Sequence, residues 1–177
     1  MTTDKSSLAE LEYIPYIDAD GQLPADFQNQ VGVYAIFDSD RLLQFVGYSR
    51  DVSVSLKQHL VRQPQKCHWL KVYTINRPSR TVLESIKEAW ISENGSMPPG
   101  NTTVATQWSE PIDAKLAMTQ DEQTSYQASD EPIKIKLLKS VARRVEASVI
   151  SELEARGVTV PIRFNPKLKE KGILDIT

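Results

Sequence analysis

The sequence predicts an α/β fold in which a small, mainly antiparallel three-stranded sheet is flanked by helices and followed by a helical C-terminal extension. Three observations carry that expectation. VGVYAIF (31–37) and LLQFVG (42–47) are apolar runs joined by the acidic turn DSDR, which is the pattern of a β-hairpin. DVSVSLKQHL (51–60) places Val52, Leu56 and Leu60 four residues apart, giving a helix one apolar stripe. Leu138, Val141, Val145, Val149 and Leu153 mark a longer amphipathic helix near the C-terminus.

The other elements follow in chain order. Residues 1–30 read as an N-terminal arm, with Asp-Gly and Pro turn signals and with Tyr13, Ile14, Tyr16 and Ile17 placed to pack against the domain. Asp51 caps the helix after the hairpin. Pro64 bars its continuation, and HWLKVYTI (68–75) alternates as a third strand. Thr81, followed three residues later by Glu84, is a capping-box pattern for a second helix. Leu83, Ile86 and Trp90 form its inward face and Gly95 its left-handed stop. The domain thus spans 31–101. Residues 102–131 are poor in apolar side chains and read as a flexible linker, anchored at Trp108, Ile112 and Met118. Residues 132–177 hold the long helix, closed by Gly157, and a short strand or extended segment, VTVPIRF (158–164). The sequence has no internal repeat.

Composition narrows the class. The 177 residues, 40% apolar and 25% charged, suit one ordinary domain with an appendage or two very small ones. No stretch approaches the ~18 apolar residues of a membrane helix, so no membrane partner is expected. MTTDKSSLAELE lacks the apolar core of a secretory signal, and the expected compartment is the cytoplasm. A single cysteine, Cys67, excludes an internal disulfide framework and an all-cysteine zinc site. It reads as a small buried residue, as Trp69 and Trp90 read as core.

The net charge of −2 hides an asymmetry. Residues 41–80 hold eight bases, Arg41, Arg50, Lys57, Arg62, Lys66, Lys71, Arg77 and Arg80, against Asp51 alone. Residues 132–177 hold ten bases and five acids, whereas 1–30 and 102–131 each hold one base and six acids. A basic segment in an acidic chain is a candidate anion-binding face. A solvated sheet edge guarded by Lys and Arg gives the same pattern.

Gly32-Val33-Tyr34 lies on the first predicted strand and Phe45-Val46-Gly47 on the second, ten residues separating Tyr34 from Phe45. With the order hairpin, helix, strand, helix and a closing Asn101, residues 30–101 resemble the GIY-YIG nuclease superfamily. The nearest resemblance is to the GIY-YIG module at the front of plant chloroplast monothiol glutaredoxins and its cyanobacterial relatives, without the fused glutaredoxin domain. The motif residues are Gly32, Phe45, Gly47 and Asn101.

The resemblance implies phosphodiester hydrolysis. A tyrosine helps deprotonate the attacking water, an arginine offsets charge on the phosphate, and a carboxylate holds one divalent ion, Mg²⁺ or Mn²⁺. Tyr34 fills the first role. Phe45 replaces the second signature tyrosine. The family's arginine slot falls on Ser55, leaving Arg50 as substitute, while His59 matches a histidine of many members. Lys87 falls in the acidic slot, with Glu88 and Glu84 the neighbouring metal candidates. Tyr48, Lys57, Arg62 and Lys66 are the candidate nucleic-acid contacts.

The expected function is a metal-dependent DNA endonuclease. The alternative is a catalytically inactive GIY-YIG module that binds nucleic acid or protein, redox-linked through Cys67. Expected partners are nucleic acid, DNA foremost, and a second copy of the chain or a glutaredoxin-like protein.

Overall fold

The computed structural model describes residues 7–177. The start of the arm, with the first half of the segment read for a secretory signal, lies outside the described residues. The described residues divide into two compact units, one ending at Ser109 and one running from Glu110 to Thr177.

In the first unit the arm contributes a strand of its own, β1 (Ile14–Pro15). β2 (Val31–Phe37) and β3 (Leu43–Ser49) are the expected hairpin, and β4 (Trp69–Ile75) returns along β2. All pairings are antiparallel and the strand order is β1-β4-β2-β3. The sheet therefore has four strands where three were expected. A two-residue strand is too short to show alternation, and Pro15, lacking an N–H, is tolerated because β1 is an edge. The hairpin turn is held by Asp38, whose carboxylate accepts from the N–H groups of Asp40 (2.9 Å) and Leu42 (3.0 Å).

α1 (Val52–Arg62) begins as expected at Asp51, whose side chain accepts from the Val54 N–H. α2 (Arg80–Asn94) is capped two residues earlier than expected. Ser79 caps it by accepting from the Val82 N–H at 3.3 Å, so Thr81 and Glu84 lie within its opening turns. Gly95, at φ 85°, ends it as expected. Pleating sends alternate strand residues to opposite faces. Val33, Ala35, Phe37 and Val46 pack with Leu83, Ile86 and Trp90 of α2. Tyr34 and Phe45 turn the other way, toward His59 of α1.

The stretch read as a flexible linker is structured. It holds α3 (Ala105–Ser109) in the first unit, then β5 (Ile112–Asp113) and α4 (Gln120–Ala128) in the second. Its order comes from local polar bonds more than from apolar burial. Thr119 and Glu122 form a complete capping box, and Arg144 holds Glu122 through two bonds of 2.7 and 3.0 Å. That guanidinium pulls the Glu122 carboxyl down to about 2. α5 (Glu131–Ala155) is the expected long helix, capped by Asp130 and burying Leu138, Val141, Val149 and Leu153. VTVPIRF contributes only a bridge from Phe164 to Ile176. After α6 (Pro166–Lys169) the strand that pairs with β5 is β6 (Ile173–Leu174). No helix among the described residues is long and apolar enough to cross a membrane.

Candidate functional site

The two triplets pair as neighbours, with Gly32 opposite Ser49, Tyr34 opposite Gly47 and Ile36 opposite Phe45. That register explains Gly47. A Cβ there would stand 2.8 Å from the Tyr34 hydroxyl and 2.6 Å from Phe45 Cε1, so only glycine leaves room for the tyrosine ring. Gly32 is likewise pressed against the Tyr73 carbonyl, 2.6 Å from where its Cβ would lie.

The Tyr34 hydroxyl and His59 Nε2 share a hydrogen bond of 2.8 Å. Phe45 lies 4.6 Å from the imidazole, and Trp108 of α3 stacks on Phe45 at 5.3 Å with an interplanar angle of 2°. This lid leaves Tyr34 3% exposed, His59 5% and Trp108 1%. Burial drives both titrations. The Tyr34 phenol is pushed well above its ordinary range, against the smaller opposing effects of the Ser55 hydroxyl and the Arg62 charge. The His59 imidazole is pushed down to about 3 by burial and then by Arg62, with the Trp108 backbone acting in the other direction. His59 is therefore neutral at physiological pH, and among the described residues its buried Nδ1 has no hydrogen-bond partner. A neutral imidazole bonded to a neutral phenol is a stable core pair; it offers no charge to a phosphate.

Ser55, in the slot of the expected arginine, donates to Ser49 Oγ at 2.7 Å. Ser49 in turn donates to the Asp51 carbonyl at 2.8 Å and accepts from the Asp51 N–H at 3.1 Å. These bonds tie the end of β3 to the start of α1. Arg50 is exposed in the bend between them and does not join this chain. The cation whose charge acts on Tyr34 and His59 is Arg62, which donates to the Trp108 carbonyl at 3.0 Å. Among the expected nucleic-acid contacts, Arg62 and Lys57 are half-buried on α1 and Lys66 is exposed just beyond it.

Tyr48, the fourth expected contact, sits on the opposite face. It follows Gly47 on β3, packs toward the α2 core, and has the Lys87 ammonium 5.8 Å from its ring. The Glu84 carboxylate beside it raises its phenol, with burial adding to that and Arg80 opposing. Glu84 and Glu88 line an open cleft of about 420 Å³ with Arg80, Thr81 and Ser85. The sheet thus separates these two carboxylates from Tyr34 and His59. Glu84 and Glu88 are the two carboxylates that would hold a Mg²⁺ or Mn²⁺ ion, with water filling its other positions. An ion there would lie across the sheet from the Tyr34 hydroxyl, with Glu84 also engaged by Tyr48 and with Arg80 beside both acids. Among the described residues no group of three or more His, Cys, Asp and Glu is placed to hold a metal.

Asn101 has a backbone role. Its Oδ1 accepts from the Val46 N–H and its Nδ2 donates to the Val46 carbonyl, both at 2.8 Å, so it pairs with edge strand β3 as another strand would. Gly100 lets the turn approach, since a Cβ would fall 2.5 Å from the Gln44 carbonyl. Two of the eight bases in 41–80 serve the arm. Lys71 donates to the Leu8 carbonyl at 2.8 Å and lies 4.2 Å over Tyr13, while the Arg41 guanidinium sits 4.5 Å from Tyr13 and 4.6 Å from Trp69. Cys67 is fully buried, its thiol directed at the His59 carbonyl at 3.5 Å. Sequence reasoning placed Arg62 as a nucleic-acid contact, not as the cation beside Tyr34 and His59, and Trp108 as a linker anchor, not as the cover of this site. Trp108 lay in a stretch with too few apolar neighbours to suggest a core position.

No protein-family profile matches the chain. A likeness to a plant protein does: over 99 residues, 54% of this chain, it is 38% identical to a bifunctional monothiol glutaredoxin of the chloroplast, glutaredoxin-S16 of Arabidopsis thaliana. The matched part makes up 32% of that protein, so the chain spans about a third of the relative's length.

Proposed function

We propose that the first unit is a GIY-YIG-type module that binds nucleic acid without cutting it. One observation carries the reading: the Tyr34 hydroxyl is bonded to a neutral His59 beneath Trp108, where water and a phosphate do not reach it. Hydrolysis by the family's route needs an accessible phenol, a cation on the phosphate and a metal-bound carboxylate on one face. Here Ser55 is engaged with Ser49, and Glu84 and Glu88 lie across the sheet. Binding would fall to the cations around α1, the exposed Arg50 and Lys66 and the half-buried Lys57. The relative's name adds a glutaredoxin to the context. A redox link through Cys67 is not favoured, because that thiol is buried.

A second reading, a weak Mn²⁺- or Mg²⁺-dependent endonuclease, is favoured by the meeting of Tyr34 and His59 at the triplet. One experiment separates the two. Purified chain is incubated with supercoiled plasmid and Mn²⁺, and its duplex affinity is measured across a salt series. The binding reading expects no nicking beyond that of Tyr34→Phe, and duplex affinity that falls steeply with salt and drops further in Lys57→Ala/Lys66→Ala. Metal-dependent nicking by the wild type that Tyr34→Phe abolishes would establish the nuclease instead.

A further inference from the structure

In the second unit, four cations meet at a cleft of about 200 Å³ between α5 and α6. Lys139 and Arg143 come from α5 and Lys167 and Lys169 from α6, with Pro166 and Glu170 completing the walls. Carboxylates hold two of them: Lys139 Nζ lies 3.3 Å from Glu170 and Lys169 Nζ 2.5 Å from Glu146. Arg143 and Lys167 are exposed, and neither side chain makes an ion pair or hydrogen bond among the described residues. The neighbouring Arg144 is the contrast, since Glu122 and the Ala117 carbonyl occupy its guanidinium. Four cations against two carboxylates leave the cleft positive. Lys136, Lys139 and Arg143 also share one helix stripe, Lys136 and Arg143 standing about 10.5 Å apart along the axis. With about 3.4 Å between charges along the axis of a nucleic-acid strand, that row spans about three phosphates, more than a single compact anion offers.

We propose that this cleft binds the phosphates of a nucleic-acid backbone, with Arg143 and Lys167 making the contacts and supplying the net positive charge and the two ion pairs fixing the walls. The proposal rests on the nucleic-acid reading above but uses residues of the second unit alone. Fixed ion pairs keep Lys139 and Lys169 in place, so a phosphate meets a preformed concavity. Arg143 can engage two phosphate oxygens at once, whereas Lys167 adds a point charge.

The full-length chain is titrated at low salt with tripolyphosphate and, separately, with a duplex DNA across a salt series. The variant is Arg143→Ala/Lys167→Ala, with Arg143→Lys/Lys167→Arg as the charge-conserving control and thermal melting to confirm folding. The double alanine variant is expected to bind tripolyphosphate about tenfold more weakly, and to lower the salt slope of duplex binding by about 1.8, roughly 0.9 per lost phosphate contact. The control keeps most of both. Tripolyphosphate binding unchanged in the alanine variant overturns the site. A weakened tripolyphosphate response with an unchanged duplex slope overturns nucleic acid as its ligand. A chain that binds tripolyphosphate through the cleft but no duplex refutes the first unit's function and this ligand assignment while keeping the anion cleft itself.

Discussion

His59 makes the first unit sensitive to acid, and the size of the effect can be worked out. The imidazole ordinarily titrates at 6.5 and in the fold at about 3. Its folded value is depressed, so below 6.5 the unfolded chain binds a proton that the folded chain refuses. Stability is fully present above 6.5 and is lost progressively as pH falls toward 3. Between pH 7.5 and 5.0 the loss from this one group is about 2 kcal/mol, from roughly 1.4 kcal/mol per pH unit once the unfolded histidine is charged. Few carboxylates titrate in that window, so it isolates histidine. All three tryptophans, Trp69, Trp90 and Trp108, lie in the first unit. Urea unfolding followed by tryptophan fluorescence therefore reports on that unit. The wild type should lose about 2 kcal/mol more than His59→Gln between the two pH values, although the variant begins less stable. His68 is present in both proteins and cancels. Equal pH slopes in the two proteins would refute a buried neutral His59.

Three further outcomes follow from the geometry. Gly47→Ala drives a methyl into the rings of Tyr34 and Phe45, and urea unfolding should show a loss of about 1–3 kcal/mol; a neutral result would mean the rings move aside freely. Asn101→Ala removes both bonds to Val46, at a cost of about 1–2 kcal/mol, and uncovers the edge of β3. Size-exclusion chromatography should then show more self-association than in the wild type. The Cys67 thiol should react with a disulfide reagent in urea and stay silent in the native protein; rapid native labelling would contradict its burial.

Periodicity made the regular elements legible. The hairpin, α1 and α2 of the first unit and the long helix of the second all announce themselves through apolar spacing, and Asp51 and Gly95 bound elements where their chemistry says they should. What escaped the sequence was order without periodicity. β1 is two residues long, and α3 and α4 stand in a stretch rich in Thr, Gln and Ser, where capping bonds and a single tryptophan do the organising. The site was half legible. Tyr34 and His59 do meet, because strand register and helix pitch are both readable. The division of the site was hidden in β-strand parity: Gly47 and Tyr48 are adjacent in sequence yet face opposite sides, so the carboxylates near Tyr48 are remote from the tyrosine opposite Gly47.

That parity also separates what a motif preserves from what it performs. Gly32 and Gly47 are required by space, Asn101 by an open strand edge, and Tyr34 by a buried imidazole that needs a partner. Each of these demands comes from packing and persists whether or not a bond is ever broken. The groups that only chemistry demands are a guanidinium aimed at the tyrosine and a carboxylate on the same face. Ser55 stands in the first slot, where it ties β3 to α1, and Lys87 stands in the second, over Tyr48. A fold under selection for its shape alone would keep the first set and lose the second. This chain has that distribution, which is the ground on which a module without cleavage is proposed.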